Sequence, residues 1–138
     1  MSAFFERHRK EYYRLLLAVS QSGRWAEWIT FFLQGVVEQS GDAVKRSNHL
    51  LAIWQGYRKK LQEARTSALL LQLVDELFRN PAITINRASK LLNITPRAAQ
   101  LNVEKLIKAG ILREATGRQR NRIFLATEIV NVIEALKA

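Results

Sequence analysis

Cysteine is absent from this chain, which excludes disulfide bonds, thiolate nucleophiles and cysteine-ligated zinc or iron–sulfur sites. Long hydrophobic runs are also absent: the longest, Leu15 to Val19, is far shorter than the ~18 residues of a membrane span. The six glycines are scattered, and none lies in a phosphate-binding loop of the Walker or dinucleotide type. The N-terminus carries Arg7, Arg9 and Lys10 where a secretory signal would be apolar. We therefore expect a soluble, cytoplasmic protein with no metal, no cofactor and no membrane partner.

Acidic residues are few, since 12 Asp and Glu stand against 22 Lys and Arg in 138 residues, giving a net charge of +10. This balance favours a polyanionic partner, with nucleic acid first. Between Arg87 and Arg122 there are nine basic and two acidic residues, a local excess of seven. Residues 1–65 hold eleven basic and six acidic residues, an excess of five over nearly twice the length. The charge is therefore concentrated between Arg87 and Arg122.

The first half has the periodicity of helices. Amphipathic spacing predicts one helix over Ser2 to Ser20, stopping before Gly23. A third helix is predicted after the break at Ser40-Gly41-Asp42, with cations near its C-terminal end. Between them lies a helix whose apolar residues are spaced i, i+3, i+4, i+7, i+8, i+11 and i+12: Trp25, Trp28, Ile29, Phe32, Leu33, Val36 and Val37.

Aromatic residues are frequent in these helices, and we interpret five of them as packing residues rather than a ligand cage: Trp25, Trp28, Phe31, Phe32 and Trp54. Phe31 lies off the main stripe. Three helices with this much apolar surface need more cover than they give one another. We therefore predict self-association, with a homodimer formed through the N-terminal helices.

From residue 66 the pattern changes to that of a new unit. Thr66-Ser67 is a cap-type pair before an apolar helix that Asn80-Pro81 ends. A short helix over Ile85 to Leu92 leads to Asn93, a residue tolerant of positive φ. Thr95-Pro96 then caps a helix from Pro96 to Ala109, which Gly110 closes. The order is helix, helix, turn, helix.

Beyond Gly110 the alternation is that of strands. Residues 111–114 and 122–125 are predicted to pair as a β-hairpin around a basic tip, and Thr127 is predicted to cap a last helix. The predicted fold class is mainly α. A segment of about three helices over residues 1–65 precedes a winged helix-turn-helix with one small β-hairpin over residues 66–138.

The winged helix-turn-helix predicts where nucleic acid would bind. Ser89 is small where the two helices approach, Asn93 lies in the turn, and Ala99 faces inward. The groove-facing surface of the second helix is predicted to comprise Thr95, Arg97, Gln100, Leu101 and Asn102. On the hairpin, the wing, contacts to phosphate or to a minor groove are predicted for Arg118, Arg120 and Arg122. The alternative is that this basic tip is merely solvated.

Two stretches carry a family resemblance. Ser2-Ala3-Phe4-Phe5-Glu6-Arg7-His8-Arg9, followed by Glu11-Tyr12-Tyr13 and by the run from Trp25 to Leu33, resembles the region downstream of the catalytic loop in Fic-family proteins. Residues 109–114 and 116–122 are similar to the C-terminal winged helix of bacterial Fic proteins.

This resemblance implies the C-terminal portion of a protein that transfers AMP from ATP. The chain lacks the family's catalytic loop, His-Pro-Phe followed by Gly-Asn-Gly-Arg, and neither His8 nor His49 precedes a proline. No catalytic residue is therefore predicted, the chain is expected not to be an enzyme, and ATP would enter only through a missing segment. The expected function is that of the DNA-binding regulatory portion of such a parent protein, whose winged helix contacts duplex DNA through its second helix and its basic wing. The alternative is a protein-interaction or dimerisation module that regulates the parent's transferase.

Overall fold

The computed structural model describes residues 1–63, 67–117 and 120–135. Within these ranges the helices and strands follow the order α1 Ser2–Arg7, α2 Arg9–Ser22, α3 Trp25–Glu63, α4 Ala68–Leu77, β1 Ala82–Thr84, α5 Ile85–Leu92, α6 Pro96–Lys108, β2 Arg113–Glu114, β3 Ile123–Leu125 and α7 Thr127–Glu134. The predicted fold class is confirmed: the chain is mainly helical, with a helix-turn-helix and a small β-hairpin. No helix in the described part of the chain is both long and apolar enough to cross a membrane.

The chain divides into two compact units, Met1–Ser47 and Asn48–Leu136, and α3 contributes to both. The domain boundary predicted between residues 65 and 66 stays a prediction. The first unit has a small aromatic core in which Phe4, Leu15 and Phe31 are buried. The rings of Phe4 and Phe31 lie 5.1 Å apart between centroids. Phe5 and Trp28 pack against this cluster.

The helix boundaries in the first unit differ from those predicted. The single helix expected over Ser2 to Ser20 is two helices, because the backbone breaks at His8, whose φ is −107°. The break expected at Ser40-Gly41-Asp42 is absent, and α3 continues for 39 residues. Glycine, serine and aspartate each cost a helix interior only about 1 kcal/mol or less, and no proline interrupts the run. Helix propagation therefore continues through them.

The prediction for the aromatic residues is partly wrong. Phe31, which lies off the stripe, is buried, whereas Trp25 is 59% exposed and Phe32 is 39% exposed. The exposed large apolar side chains on this part of α3 form a stripe, which comprises Trp25, Ile29, Phe32, Leu33, Val36, Val37 and Val44. In so small a unit, α1 and α2 cover only one side of α3. We call these seven residues the apolar stripe.

The second unit has the main hydrophobic core. It is built from α4 to α7 and the C-terminal part of α3, and its most deeply buried side chains include Leu70, Leu73, Val103, Leu106 and Phe124. Polar contacts also join α3 to its neighbours. Asp75 accepts hydrogen bonds from Trp54 Nε1 at 2.7 Å and from Arg58 at 3.0 Å. Tyr57 donates to Glu128 at 2.7 Å, and burial together with this carboxylate raises the pKa of the Tyr57 hydroxyl.

A three-stranded antiparallel sheet completes the second unit, in the order β1-β3-β2. The predicted hairpin is confirmed by the pairing of β2 with β3, in which Arg113 is opposite Leu125 and Glu114 is opposite Phe124. The sequence pattern does not predict β1, because three residues after Pro81 give too little alternation to indicate a strand. This strand pairs with the other side of β3 and places Ile83 in the core.

Three smaller differences concern helix ends. α4 ends at Leu77, ahead of the predicted stop at Asn80-Pro81. Ser67 is the N-cap of α4 but makes no side-chain capping bond, and Thr66 lies outside the described residues. The N-cap of α7 is Ala126 rather than Thr127, which occupies the first helical position. The backbone N–H of Ala126 donates to the Pro81 carbonyl at 2.9 Å, so strand pairing decides where this helix begins.

Two helical glycines give a test of the first unit's core. A Cβ added at Gly35 would lie 2.6 Å from the Phe4 ring, whereas one at Gly41 would meet nothing within 4 Å. We expect Gly41→Ala to raise the free energy of unfolding by about 0.5–1 kcal/mol, as alanine does in a helix interior. Gly35→Ala should lower it by about 1 kcal/mol, because overpacking costs ~1–3 kcal/mol. Urea denaturation of both variants measures the difference. Equal stabilisation by both would show that Phe4 does not pack on Gly35.

Candidate nucleic-acid interface

The turn between α5 and α6 fixes the direction of the second helix. Asn93 has the left-handed backbone predicted for it, with φ 52° and ψ 49°. The Ser89 hydroxyl donates to the carbonyl of Ile94 at 2.6 Å and closes the turn. Ala88 and Ala99 are fully buried, as the close approach of the two helices requires. The predicted positions of Asn93 and Ala99 in the motif are therefore confirmed. The fully buried small residue of α5 is Ala88 rather than the predicted Ser89, which is partly buried.

The N-terminus of α6 follows its sequence signals. Thr95 is the N-cap, and its hydroxyl oxygen accepts a hydrogen bond from the Ala98 backbone N–H at 3.3 Å. Pro96 occupies the first helical position, where its missing N–H costs nothing. Thr95 is exposed, as predicted, but its oxygen acts in the cap.

One face of α6 is buried and the opposite face is exposed. The buried side chains are Ala99, Asn102, Val103 and Leu106. The exposed residues at i, i+4, i+7, i+8 and i+11 follow one another along a single stripe: Arg97, Leu101, Glu104, Lys105 and Lys108. We call these five residues the exposed face of α6. Its three cations have no carboxylate partner among the described residues, so their charge is available to an external anion.

Asn102 does not belong to this face, contrary to the prediction. It is 8% exposed, and its Nδ2 donates to the Ala98 carbonyl at 2.9 Å. The reason is helical spacing, because position 102 lies three residues after buried Ala99 and beside buried Val103. The prediction that Asn102 is exposed rested only on the polarity of its side chain. The helical spacing of the apolar residues of α6 indicates instead that position 102 is buried.

Gln100 lies at the edge of the exposed face and is half-buried. Its Nε2 donates to Glu104 Oε1 at 2.9 Å. The predicted base reader is therefore held by a carboxylate one helical turn further along.

The arginines predicted on the wing differ in their surroundings. Arg118 lies outside the described residues, so its predicted contact stays a prediction. Arg120 is exposed. The Arg122 guanidinium lies 3.6 Å from a Glu114 carboxylate oxygen and 5.6 Å from the centre of the Phe124 ring. Arg122 is thus partly neutralised within the hairpin.

Sequence reasoning missed several basic residues. Lys105 and Lys108 are on the exposed face of α6, and their spacing of eight and eleven residues from Arg97 was the signal that could have found them. On α5, Arg87 and Lys90 line a cavity, and Arg87 is paired with Glu76 at 2.7 Å. A second small cavity is lined by Thr84, Ile85, Asn86, Asn121 and Arg122.

A helix-turn-helix with a wing and an exposed cationic second helix defines a class, that of the nucleic-acid-binding winged helices. Comparison with known proteins agrees with this class. Residues 70–124 match the family model described as an HTH DNA binding domain. The matched segment runs from α4 through β3 and so includes the turn and α6.

Other likenesses are weaker. An uncharacterized protein, y4cF, of Sinorhizobium fredii is 41% identical over 64 residues, which make up 46% of this chain. The chain spans only 16% of the length of that relative. Among solved structures, a MarR family transcriptional regulator from Silicibacter pomeroyi is similar over 86% of this chain and 71% of its own, with 15% identity and a TM-score of 0.43.

A multiple antibiotic-resistance repressor from Listeria monocytogenes is similar over 74% of this chain and 73% of its own, with 19% identity and a TM-score of 0.41.

The resemblance to Fic-family proteins is wrong. The family model that matches residues 70–124, which include the stretches likened to a Fic winged helix, is that of an HTH DNA binding domain. The stretches that carried the resemblance are amphipathic helices and a hairpin, and burial imposes such patterns on unrelated families. The expected parent transferase and its ATP lose their support together with the resemblance.

The burial of Asn102 is open to test. Asn102→Asp removes the amide donor to the Ala98 carbonyl and leaves a carboxylate in its place. We expect the free energy of unfolding to fall by about 2–4 kcal/mol, because a hydrogen bond is removed and a charge is desolvated. Asn48→Asp, at an exposed position of α3 in the same unit, serves as the control and should change it by less than about 0.5 kcal/mol. Thermal denaturation near pH 7 measures both, and a neutral Asn102→Asp would place this side chain at the surface.

Proposed function

We propose that this chain is a DNA-binding regulator that inserts α6 into the major groove of duplex DNA and sets its wing on the backbone. The observation that carries the proposal is the exposed face of α6, where Arg97, Lys105 and Lys108 lack carboxylate partners among the described residues. The match of residues 70–124 to an HTH DNA binding domain supports it. The activity is binding, not catalysis, and it agrees with the cytoplasmic location expected from the sequence.

The proposed DNA contacts divide by chemistry. Arg97, at the second position of α6, has the planar donors that pair with guanine O6 and N7, and Leu101, which is 48% exposed, can touch a thymine methyl group. Lys105 and Lys108 are point charges suited to phosphates. On the wing, Arg118 and Arg120 would contact the backbone, and Arg122 would have to leave Glu114 to do so. Thr95 and Gln100 complete the proposed surface, and Asn102 is not part of it.

The salt dependence of DNA binding tests this assignment. Replacing Arg97, Lys105 and Lys108 together with alanine should flatten the slope of log K against log salt by roughly 0.9 for each phosphate that the variant no longer neutralises. Fluorescence anisotropy with a random duplex at several salt concentrations measures the slope. The matched control replaces three exposed cations of the first unit, Arg9, Lys10 and Lys45, and should leave the slope nearly unchanged. Equal effects of the two triple variants would mean that net charge, and not α6, attracts the DNA.

The wing is tested in the same assay. Replacing Arg118 and Arg120 together with alanine should also flatten the slope, because both guanidinium groups are proposed to neutralise phosphates. An unchanged slope would leave the hairpin tip solvated.

The regulator is further proposed to act as a homodimer through the apolar stripe of α3. The seven side chains are each 37–73% exposed. Together they offer on the order of 500 Å² of apolar surface. Two copies would bury about 1,000 Å², which is at the lower limit for a specific interface. A symmetric dimer presents two copies of α6 and therefore favours a pseudopalindromic site.

The spacing along α3 supports helix pairing. Exposed uncharged residues recur at alternating intervals of four and three: Ala26, Thr30, Leu33, Val37, Ser40, Val44 and Ser47. This is the period of a coiled-coil seam, and three residues of the apolar stripe, Leu33, Val37 and Val44, belong to it. The seam contains no charged residue, so a second copy of the same helix meets no like charge there.

Dimerisation predicts a concentration-dependent mass. In analytical ultracentrifugation the protein should shift from monomer to dimer at micromolar concentrations, given the small interface. Val37→Glu should abolish the shift, because it places like charges in the seam of both copies. Gln55→Glu adds the same charge at another exposed position of α3 and should leave the shift intact. A wild-type chain that stays monomeric at about 100 µM, well above the micromolar range in which dimers are expected, would overturn the dimer.

A further inference from the structure

Glu104 is an unusual residue on the surface proposed to meet DNA. It is the only acidic residue of α6, and it lies on the exposed face between Leu101 and Lys108. A carboxylate there repels phosphates and weakens non-specific binding. Lys108 occupies position i+4 from Glu104, where a helical ion pair normally forms. The carboxylate instead takes its hydrogen bond from Gln100, four residues earlier, at 2.9 Å.

The Gln100–Glu104 pair has a defined hydrogen-bonding character. Gln100 Nε2 is directed to Glu104 Oε1, which leaves Glu104 Oε2 without a partner among the described residues. A carboxylate oxygen only accepts hydrogen bonds. The base amines exposed in a major groove are N4 of cytosine and N6 of adenine. Glu pairs with N4 of cytosine, because adenine presents the acceptor N7 beside its amine and N7 repels a carboxylate.

We infer that Glu104 is a specificity-determining residue, which accepts a hydrogen bond from the N4 amine of a cytosine in the bound site and is oriented for this by Gln100. The inference rests on the proposed DNA binding. Glu104 lowers the affinity for DNA of any sequence, because its carboxylate repels nearby phosphates. This loss is offset only where a base offers an amine that donates a hydrogen bond to the carboxylate, so Glu104 raises selectivity. Thymine presents a carbonyl oxygen at the same place. Two acceptor oxygens repel each other, so thymine is disfavoured there.

Selection from a randomised duplex pool tests this role. The wild-type chain, Glu104→Gln and Glu104→Ala are each used to select bound sequences. The control is Glu134→Gln, which removes the same charge from an exposed position of α7 in the same unit. Wild-type and Glu134→Gln chains should select one shared cytosine in each half-site, and both Glu104 variants should lose it. Circular dichroism confirms that all four chains are folded.

The selected site is then changed at that one base pair. Replacing C·G with T·A should weaken wild-type binding about 5- to 150-fold and weaken Glu104→Ala binding less than about twofold. Glu104→Gln should bind random duplex more tightly than the wild type. Identical sequence preferences in wild-type and Glu104 variants would overturn the inference while leaving the proposed function intact. If the wild type retains no DNA from the pool even at low salt, the proposed function fails, and the role of Glu104 fails with it.

Discussion

The close approach of α5 and α6 is the constraint on which the second unit depends. Two fully buried alanines, Ala88 and Ala99, leave no bulky side chain between the helices, and Asn93 supplies the left-handed turn that joins them. Because the Ser89 hydroxyl bonds across the turn, α6 has one orientation relative to α5. One face of α6 is thereby committed to the core, and the opposite face must be solvent-exposed. The proposed DNA contacts depend on that division.

Charge on the exposed surface is distributed unevenly between paired and unpaired groups. Arg87 and Arg122 lie beside carboxylates of their own unit, at 2.7 Å and 3.6 Å, whereas the cations of α6 have none among the described residues. An arginine that already has a carboxylate gains less from a phosphate, because the first interaction must be given up. The cations available to bind phosphate are therefore mainly those of α6. The net charge of the chain overstates how much the other basic residues contribute to phosphate binding.

The two units solve the burial of apolar surface differently. In the second unit, the helices and the sheet together bury the side chains of Leu70, Val103 and Phe124 almost completely. The first encloses only a small aromatic cluster, since its short helices cover one side of α3. What the first unit leaves exposed is the apolar stripe of α3. The stripe includes Trp25 and Phe32, so this aromatic-rich segment does not bury all of its aromatic residues.

The amino-acid sequence by itself determined the helix-turn-helix, because its signals are local: Asn93 for a left-handed turn, Thr95-Pro96 for a helix start, and period-3.6 burial along α6. It also determined that positive charge is concentrated between Arg87 and Arg122. Only the tertiary structure decided that α3 runs unbroken through Gly41, that β1 joins the sheet, and that Phe31 is buried while Trp25 is not. These outcomes depend on which elements happen to pack on a given face. The burial of Asn102 and the exposure of Glu104 depend on both the sequence and the tertiary structure. The spacing of the two residues puts them on opposite faces of α6, but only the packing shows which face is covered.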